Sequence, residues 1–554
     1  MLMATILAWT AGAGLARADG GPIFFTKGIM VNVKPEDKPA SGRVIKKMEL
    51  IACPGEFEPF SLAIHGTADG GWMFEVSDLK ATDARASIPA SAVETALVWW
   101  QKTEGHLGKG ARVTDFVLDP AGRGVAVTKG KTSWVWLTVH VPGEAKPGLY
   151  QGTFTLKGEK GQRVSLPLEV EVLPVKLGRV PGVQFCLLYP AAFGQYHNAA
   201  TRAKRRPAAR KLYLQLKNHG MTCIAPKGSD WPYKPGHFEG LAACVELAKE
   251  VGLTGPVIWY MSAMVNAVKG GEHFKHYDGK CDNWNEQRDL ANLKEIVQAV
   301  QKLAREKNWP EIVFATIDEP GTQTENLRIR RLRLGTITPK TLKVVHELGA
   351  RACATISEPV DNKHNRWRVR EPDELRKLWD LSRPYCDIRI YAYGSPQGKT
   401  NLRAEKADCE KRGHEMWFYH NPAIMRRDRY CARLYFGLWG WKVGAQGLSA
   451  WTYPGGRTVQ FELVREGIDD LKYLATIERL LKEKRGSEQA RKAAEAFLAR
   501  LKAAIKLNAD GYIEDWAKTA AAVTAAAGQS AQAKNPDFAA LKRRMADVVK
   551  SLLK

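Results

Sequence analysis

The sequence has no CxxC pair and no dense cysteine framework. Its nine cysteines, at 53, 186, 223, 244, 281, 353, 386, 409 and 431, are scattered and odd in number. That excludes a disulfide-stapled scaffold and argues against a structural zinc site. Cys186, Cys223 and Cys353 fall inside apolar stretches, where a thiol acts as a small filler. No internal apolar run is long enough to span a bilayer, so no integral membrane segment is expected once the N-terminal stretch is removed. No Gly-rich phosphate turn follows an early strand, which weighs against a doubly wound nucleotide-binding sheet. Acids are few relative to bases: 59 Asp and Glu against 83 Lys and Arg, a net charge of +24. Such an excess attracts polyanions. No recognised nucleic-acid module accompanies it, so no nucleic-acid partner is expected. Acidic or sulfated glycans are in scope as partners of a basic surface; no cofactor and no metal are called for.

What is present starts with a small, apolar N-terminus. Residues 1–15 lead to Ala16-Arg17-Ala18, an A-x-A cleavage pattern. A signal peptide over 1–18 and export to the periplasm or the extracellular space are the expectation. At 554 residues, two or three domains are expected. Residues 19–178 read as β-rich. Val135, Leu137, Val139 and Val141 alternate with Trp134, Trp136, Thr138 and His140, and Leu166 to Val172 repeats the pattern. Several half-buried strands split by Pro-Gly turns suggest a β-sandwich.

After Pro181 the pattern changes to short apolar runs separated by amphipathic stretches. The runs are 183–189, 221–225, 256–261, 312–317, 352–356, 387–393, 415–420 and 447–453. Eight strand–helix units suffice to close a (β/α)8 TIM-like barrel over 179–475. From 476 to 554 a C-terminal helical bundle is expected, with 519–535, rich in Ala, Gly and Gln, as a loose linker. The fold class is therefore multidomain α/β.

The fourth run ends in Asp318-Glu319-Pro320. Two carboxylates at the end of a buried strand lose water and oppose each other's charge, which a chain tolerates mostly where the strain is used. Pro320 disfavours helical backbone at Glu319 and predicts an extended kink there. The plain alternative is a solvated, acidic loop start. Around the acids, at the strand ends where barrel enzymes hold their sites, stand Trp259, Tyr391, Tyr393, His420, Asn421, Trp451 and Tyr453. Aromatics with a few hydrogen-bonding groups suit a sugar. Glycoside cleavage needs a protonated acid at the leaving oxygen, a role Glu319 fills if burial and Asp318 keep it protonated. The later strands end without a carboxylate. Glu358, after the fifth run, is the alternative nucleophile of a conventional two-carboxylate glycosidase. Otherwise the substrate's own 2-acetamido oxygen attacks, with Asp318 orienting the acetamide N–H.

The chain resembles glycoside hydrolase family 123 and the related domain of unknown function 4091. The resemblance rests on Cys53-Pro54-Gly55-Glu56-Phe57-Glu58-Pro59, Ile317-Asp318-Glu319-Pro320, Gly437-Leu438-Trp439-Gly440-Trp441-Lys442, 447–453 and Arg465-Glu466-Gly467-Ile468-Asp469-Asp470. It implies a retaining exo-hydrolase releasing β-linked N-acetylhexosamine, N-acetylgalactosamine foremost, by substrate-assisted catalysis, with Asp318 as stabiliser and Glu319 as acid/base. A glycan-binding protein without catalysis on the same fold is the rival from another class. The 465–470 segment reads as structural, its acids favoured by a helix N-terminus. His273, His276, Asp278, Cys281 and Asp282 fit no strong zinc spacing and read as a substrate loop.

Overall fold

The structure is a computed structural model that describes residues 21–40, 43–83, 85–104, 112–119, 123–188, 199–226, 238–261, 284–321, 327–356, 372–393, 402–425, 428–451, 456–530 and 535–554. The expected signal segment, Glu358, Tyr453 and the 273–282 cluster lie outside them. The chain divides into two compact units: residues 1–99 with 118–176, and 100–117 with 177–554.

In the first unit two sheets share one core. One sheet holds, in order, the neighbouring strands Ile23–Phe25, Phe57–His65 and Thr132–His140. The other runs Met48–Ala52, Arg163–Val172, Gly148–Gly158, Gly70–Val76, Gly124–Val127, with Leu79–Ala81 and Ser87–Ile88 at its side. Leu62, Ile64, Val135 and Leu137 from one sheet meet Phe154, Leu156, Leu168 and Val170 from the other. These are the alternate positions that the period-2 pattern marks as inward. The Cys-Pro-Gly-Glu stretch ties a strand end: the Cys53 N–H donates to Glu56 Oε2 at 2.7 Å, and the Gly55 N–H donates to the Val141 carbonyl at 2.9 Å.

In the second unit seven parallel strands form one sheet. In chain order they are Gln184–Leu188, Val257–Tyr260, Ile312–Asp318, Ala352–Ile356, Ile388–Ala392, Glu415–Tyr419 and Gly447–Trp451. Residues 224 and 225 stand where another strand was expected. They make single parallel bridges, Leu188 to Ala225 and Ile224 to Val257, which join the two edges of the sheet into a ring. With 224–225 counted second, the ring has eight positions, and they are named below by that order.

Helices separate the strands, among them Glu239–Val251, Glu286–Glu306, Thr338–Glu347 and Leu402–Arg412. Residues 429–443 form one continuous helix with a π-turn at Tyr435–Trp439. The C-terminal helices Val459–Lys482, Glu488–Ala504, Trp516–Ala526 and Phe538–Leu553 belong to the same compact unit as the ring. Trp516–Ala526 replaces the first half of the expected loose linker. Asp515 caps its first turn by accepting from the Lys518 N–H, and Ala520 and Val523 are buried. Low sequence complexity there is helix-forming alanine with an apolar face. Among the described residues no helix is long and apolar enough to cross a membrane. The eight described cysteines are all buried free thiols.

Candidate active site

Strand alternation decides which side chains enter the ring. The interior cluster holds Cys186, Cys223, Ile258, Tyr260, Val313, Ala315, Cys353, Ile388, Ile390, Trp417 and Tyr419, with Ala392 and Trp451 packed on it. Simple alternation along the fourth strand would continue the inward series Val313, Ala315 with Ile317, and turn Asp318 toward the helices. The strand breaks that rule. Ala315 pairs with Cys353, but Asp318 pairs with Thr355, so three steps on one strand match two on its neighbour. This one-residue bulge puts both intervening residues on the helix side. Thr316 Oγ1 bonds Thr341 Oγ1 at 3.0 Å, and Ile317 packs with Ile337 and Trp284. Asp318 returns to the interior, where Thr355 Oγ1 donates to its Oδ1. A bulge that re-aims one side chain is a recurrent device at functional sites.

Glu319 then leaves the strand with φ 43°, in the left-handed region. The extended kink expected from Pro320 is not what forms. A non-glycine residue held there carries strain of about 1–3 kcal/mol. Its N–H donates to Thr355 Oγ1 at 3.2 Å. Its Oε1 accepts from the hydroxyl of Tyr419, at the end of the seventh strand on the far side of the ring. One acid is thus held from the neighbouring strand and the other from across the mouth. Tyr260 completes this wall from the third strand. Burial, then the charge of Asp318, pushes its phenol far above the usual tyrosine value, so it stays protonated and able to donate.

The expected sugar-binding residues divide into two groups. Trp451 lies on the interior cluster at the mouth. Asn421 holds the end of that strand, its Oδ1 accepting from the Trp451 N–H at 3.0 Å. Trp259, Tyr391, Tyr393 and His420 face the helices and are corrected accordingly. Trp259 is buried against Phe238 and Phe314, with ring centroids at 6.1 and 5.9 Å. Tyr391 donates its hydroxyl to Glu405, which also receives Arg383 and Arg389. Tyr393 is fixed through its hydroxyl, which donates to the Ile513 carbonyl at 3.3 Å and accepts from the Ile513 N–H at 2.9 Å. His420 packs on Tyr393, Tyr435 and Trp516.

The error has one cause: alternation separates two faces but does not say which is the interior. Arg389 shares a face with Tyr391 and Tyr393, and it is fully buried in an ion-pair network with Glu405 and Asp408. A charged residue on that face signals the helix side, leaving Ile388 and Ile390 to fill the ring. Tyr260, Thr355 and Tyr419, absent from the expected set, are the interior residues that touch or face the acids. The same alternation on their strands, read with Ile258, Cys353 and Trp417 as interior, would have found them.

The 465–470 segment is structural, as expected, but not through a helix dipole. It lies inside Val459–Lys482, where Arg433 bonds Asp470 at 2.7 and 2.8 Å and approaches Glu466 at 3.4 Å.

No family model matches the sequence, and no curated protein matches it. Among solved structures the chain is similar to a family 123 glycoside hydrolase from Clostridium perfringens, described for the details of glycolipid glycan hydrolysis. The TM-score is 0.60 at 10% identity, covering 96% of this chain and 98% of that one. A family 39 glycoside hydrolase from Bacteroides cellulosilyticus WH2 gives a TM-score of 0.35 at 10% identity, covering 77% of this chain and 80% of that one. A GH5 xyloglucanase from Bacteroides ovatus gives 0.30 at 8% identity, covering 76% and 98%. The last two are too distant to carry an argument. The first runs nearly end to end: the chain has the fold of a family 123 glycoside hydrolase.

Proposed function

We propose that this protein is an exported, retaining exo-glycoside hydrolase that releases β-linked N-acetylhexosamine, N-acetylgalactosamine foremost, with the substrate's acetamide as nucleophile. The observation that carries the reading is the convergence of two sequence-adjacent acids on one mouth, each bonded to a hydroxyl from a different strand. Glu319 gives its proton to the glycosidic oxygen as the C1–O bond breaks. The acetamide carbonyl oxygen closes on C1 to form an oxazolinium ion. Asp318 accepts the acetamide N–H and stabilises the positive charge. Water then enters, Glu319 takes its proton, and the C1–O bond to the acetamide opens with net retention. An intramolecular nucleophile so placed reaches effective molarities of ~10⁵ M or more. The aromatic ring of Trp451 offers a surface for a sugar C–H face.

The direct test compares aryl β-N-acetylgalactosaminide with the plain aryl β-galactoside. Hydrolysis of the acetamido sugar alone is expected; preference for the plain galactoside would overturn acetamide participation. A β-N-acetylglucosaminide run beside them decides the epimer.

Tyr419→Phe keeps the ring and removes the bond to Glu319. Glu319 becomes a carboxylate only as it gives up its proton, and a hydrogen bond to that charged form contributes about 1.5–3 kcal/mol, so kcat should fall roughly 10- to 100-fold with KM little changed. Unchanged kcat would detach Tyr419 from the work of Glu319.

A further inference from the structure

We infer that Thr355 is the positioning residue that sets both acids at once, an inference that rests on the glycosidase reading above. Its place follows from the bulge. Cys353 and Thr355 are alternate residues on the fifth strand, Cys353 lies in the interior cluster, and the shifted register brings Asp318 opposite Thr355. A threonine hydroxyl has one proton to donate and lone pairs to accept with. Here the two capacities are divided between neighbouring acids. The Glu319 N–H donates to Oγ1 at 3.2 Å, and Oγ1 donates to Asp318 Oδ1.

The direction of this relay matters. Accepting the Glu319 N–H orients the hydroxyl so that its proton points at Asp318, and each bond polarises the next. Two consequences follow. The Asp318 carboxylate is held in one plane at the mouth, as an acceptor of the acetamide N–H must be. The Glu319 backbone is held at φ 43°, the conformation from which its carboxylate meets Tyr419. A valine, with the same shape and no hydroxyl, would lose both ties, whereas a serine would keep them. Thr355 touches neither leaving group nor attacking atom in this scheme. It acts through Asp318 and Glu319.

The test measures Thr355→Val, Thr355→Ala and Thr355→Ser against wild type on the aryl β-N-acetylgalactosaminide. It also measures binding of a thiazoline analogue of the oxazolinium intermediate, beside binding of free N-acetylgalactosamine. Misplacing a catalytic group by an ångström costs about 10²-fold. Valine and alanine are therefore expected to lower kcat by about that factor and to weaken thiazoline binding, with KM and binding of the free sugar little changed and serine restoring most of the loss. A merely structural threonine would move thermal stability, KM and free-sugar binding together. Equal kcat and equal thiazoline affinity in valine and wild type would overturn the inference while leaving the glycosidase reading intact. A wild-type protein that neither cleaves the aryl sugar nor binds the thiazoline would overturn that reading, and the inference with it.

Discussion

Glu319→Gln is expected to lower kcat/KM on substrates with poor leaving groups by about 10²–10⁴, the usual contribution of a positioned general acid. Nitrophenyl substrates need little protonation at the leaving oxygen, so the first step should survive in them and the loss should be smaller. Asp318→Asn should behave differently. Its amide cannot accept the acetamide N–H as a charged oxygen does, and it brings no negative charge to the oxazolinium. Good and poor leaving groups should therefore suffer alike. The two substitutions are close to isosteric, and Asp318 and Glu319 touch separate hydroxyls, Thr355 and Tyr419. Kinetics on a paired series of aryl and alkyl N-acetylgalactosaminides would read the difference. If both variants keep wild-type rates on both substrate types, the acid pair has no part in catalysis.

Why the acids converge could not be read from the chain. The strand–helix alternation after residue 181 is plain in the sequence, because buried parallel strands are short apolar runs and the helices between them are amphipathic. Seven of the eight runs became strands within a residue or two of their expected ends, and the fourth run carries the bulge. The run at 221–225 kept only two bridges. Neither the bulge after Ala315 nor the left-handed Glu319 has a local signature; Pro320 argued for extended backbone and was overruled by the ties to Thr355 and Tyr419. Tyr419 lies 100 residues from Glu319, a pairing that only the ring geometry creates. Tyr391 and Tyr393 were misread for the converse reason: their aromatic character suited a sugar site, but Glu405 and Ile513 claim their hydroxyls on the helix side.

The motifs near the end of the chain, Gly437 in one and Gly467 in the other, predict a second large effect, on folding. The helix over 429–443 and the helix Val459–Lys482 cross where these two glycines meet. A Cβ added to Gly467 would stand 2.3 Å from the Arg433 carbonyl oxygen, and one added to Gly437 would stand 2.5 Å from the Gly467 carbonyl oxygen. Both obstacles are backbone, which cannot rotate aside. Alanine is favoured over glycine inside a helix by up to about 1 kcal/mol, but the overlap here outweighs that gain. The helices would have to separate. Arg433 is fixed by that crossing, and its fork holds Asp470 at 2.7 and 2.8 Å with both side chains buried. Glu466 sits beside it, pushed up to about 7 by burial against the pull of Lys542 and Arg433. Loosening a buried pair of this kind adds to the steric cost. Gly467→Ala should therefore destabilise the second unit by about 3 kcal/mol or more, read as a lower denaturation midpoint or as loss of soluble protein. Gly178→Ala, where an added Cβ meets nothing within 4 Å, is the matched control and should be neutral. A Gly467→Ala protein as stable as that control would mean that the two helices do not touch at these glycines.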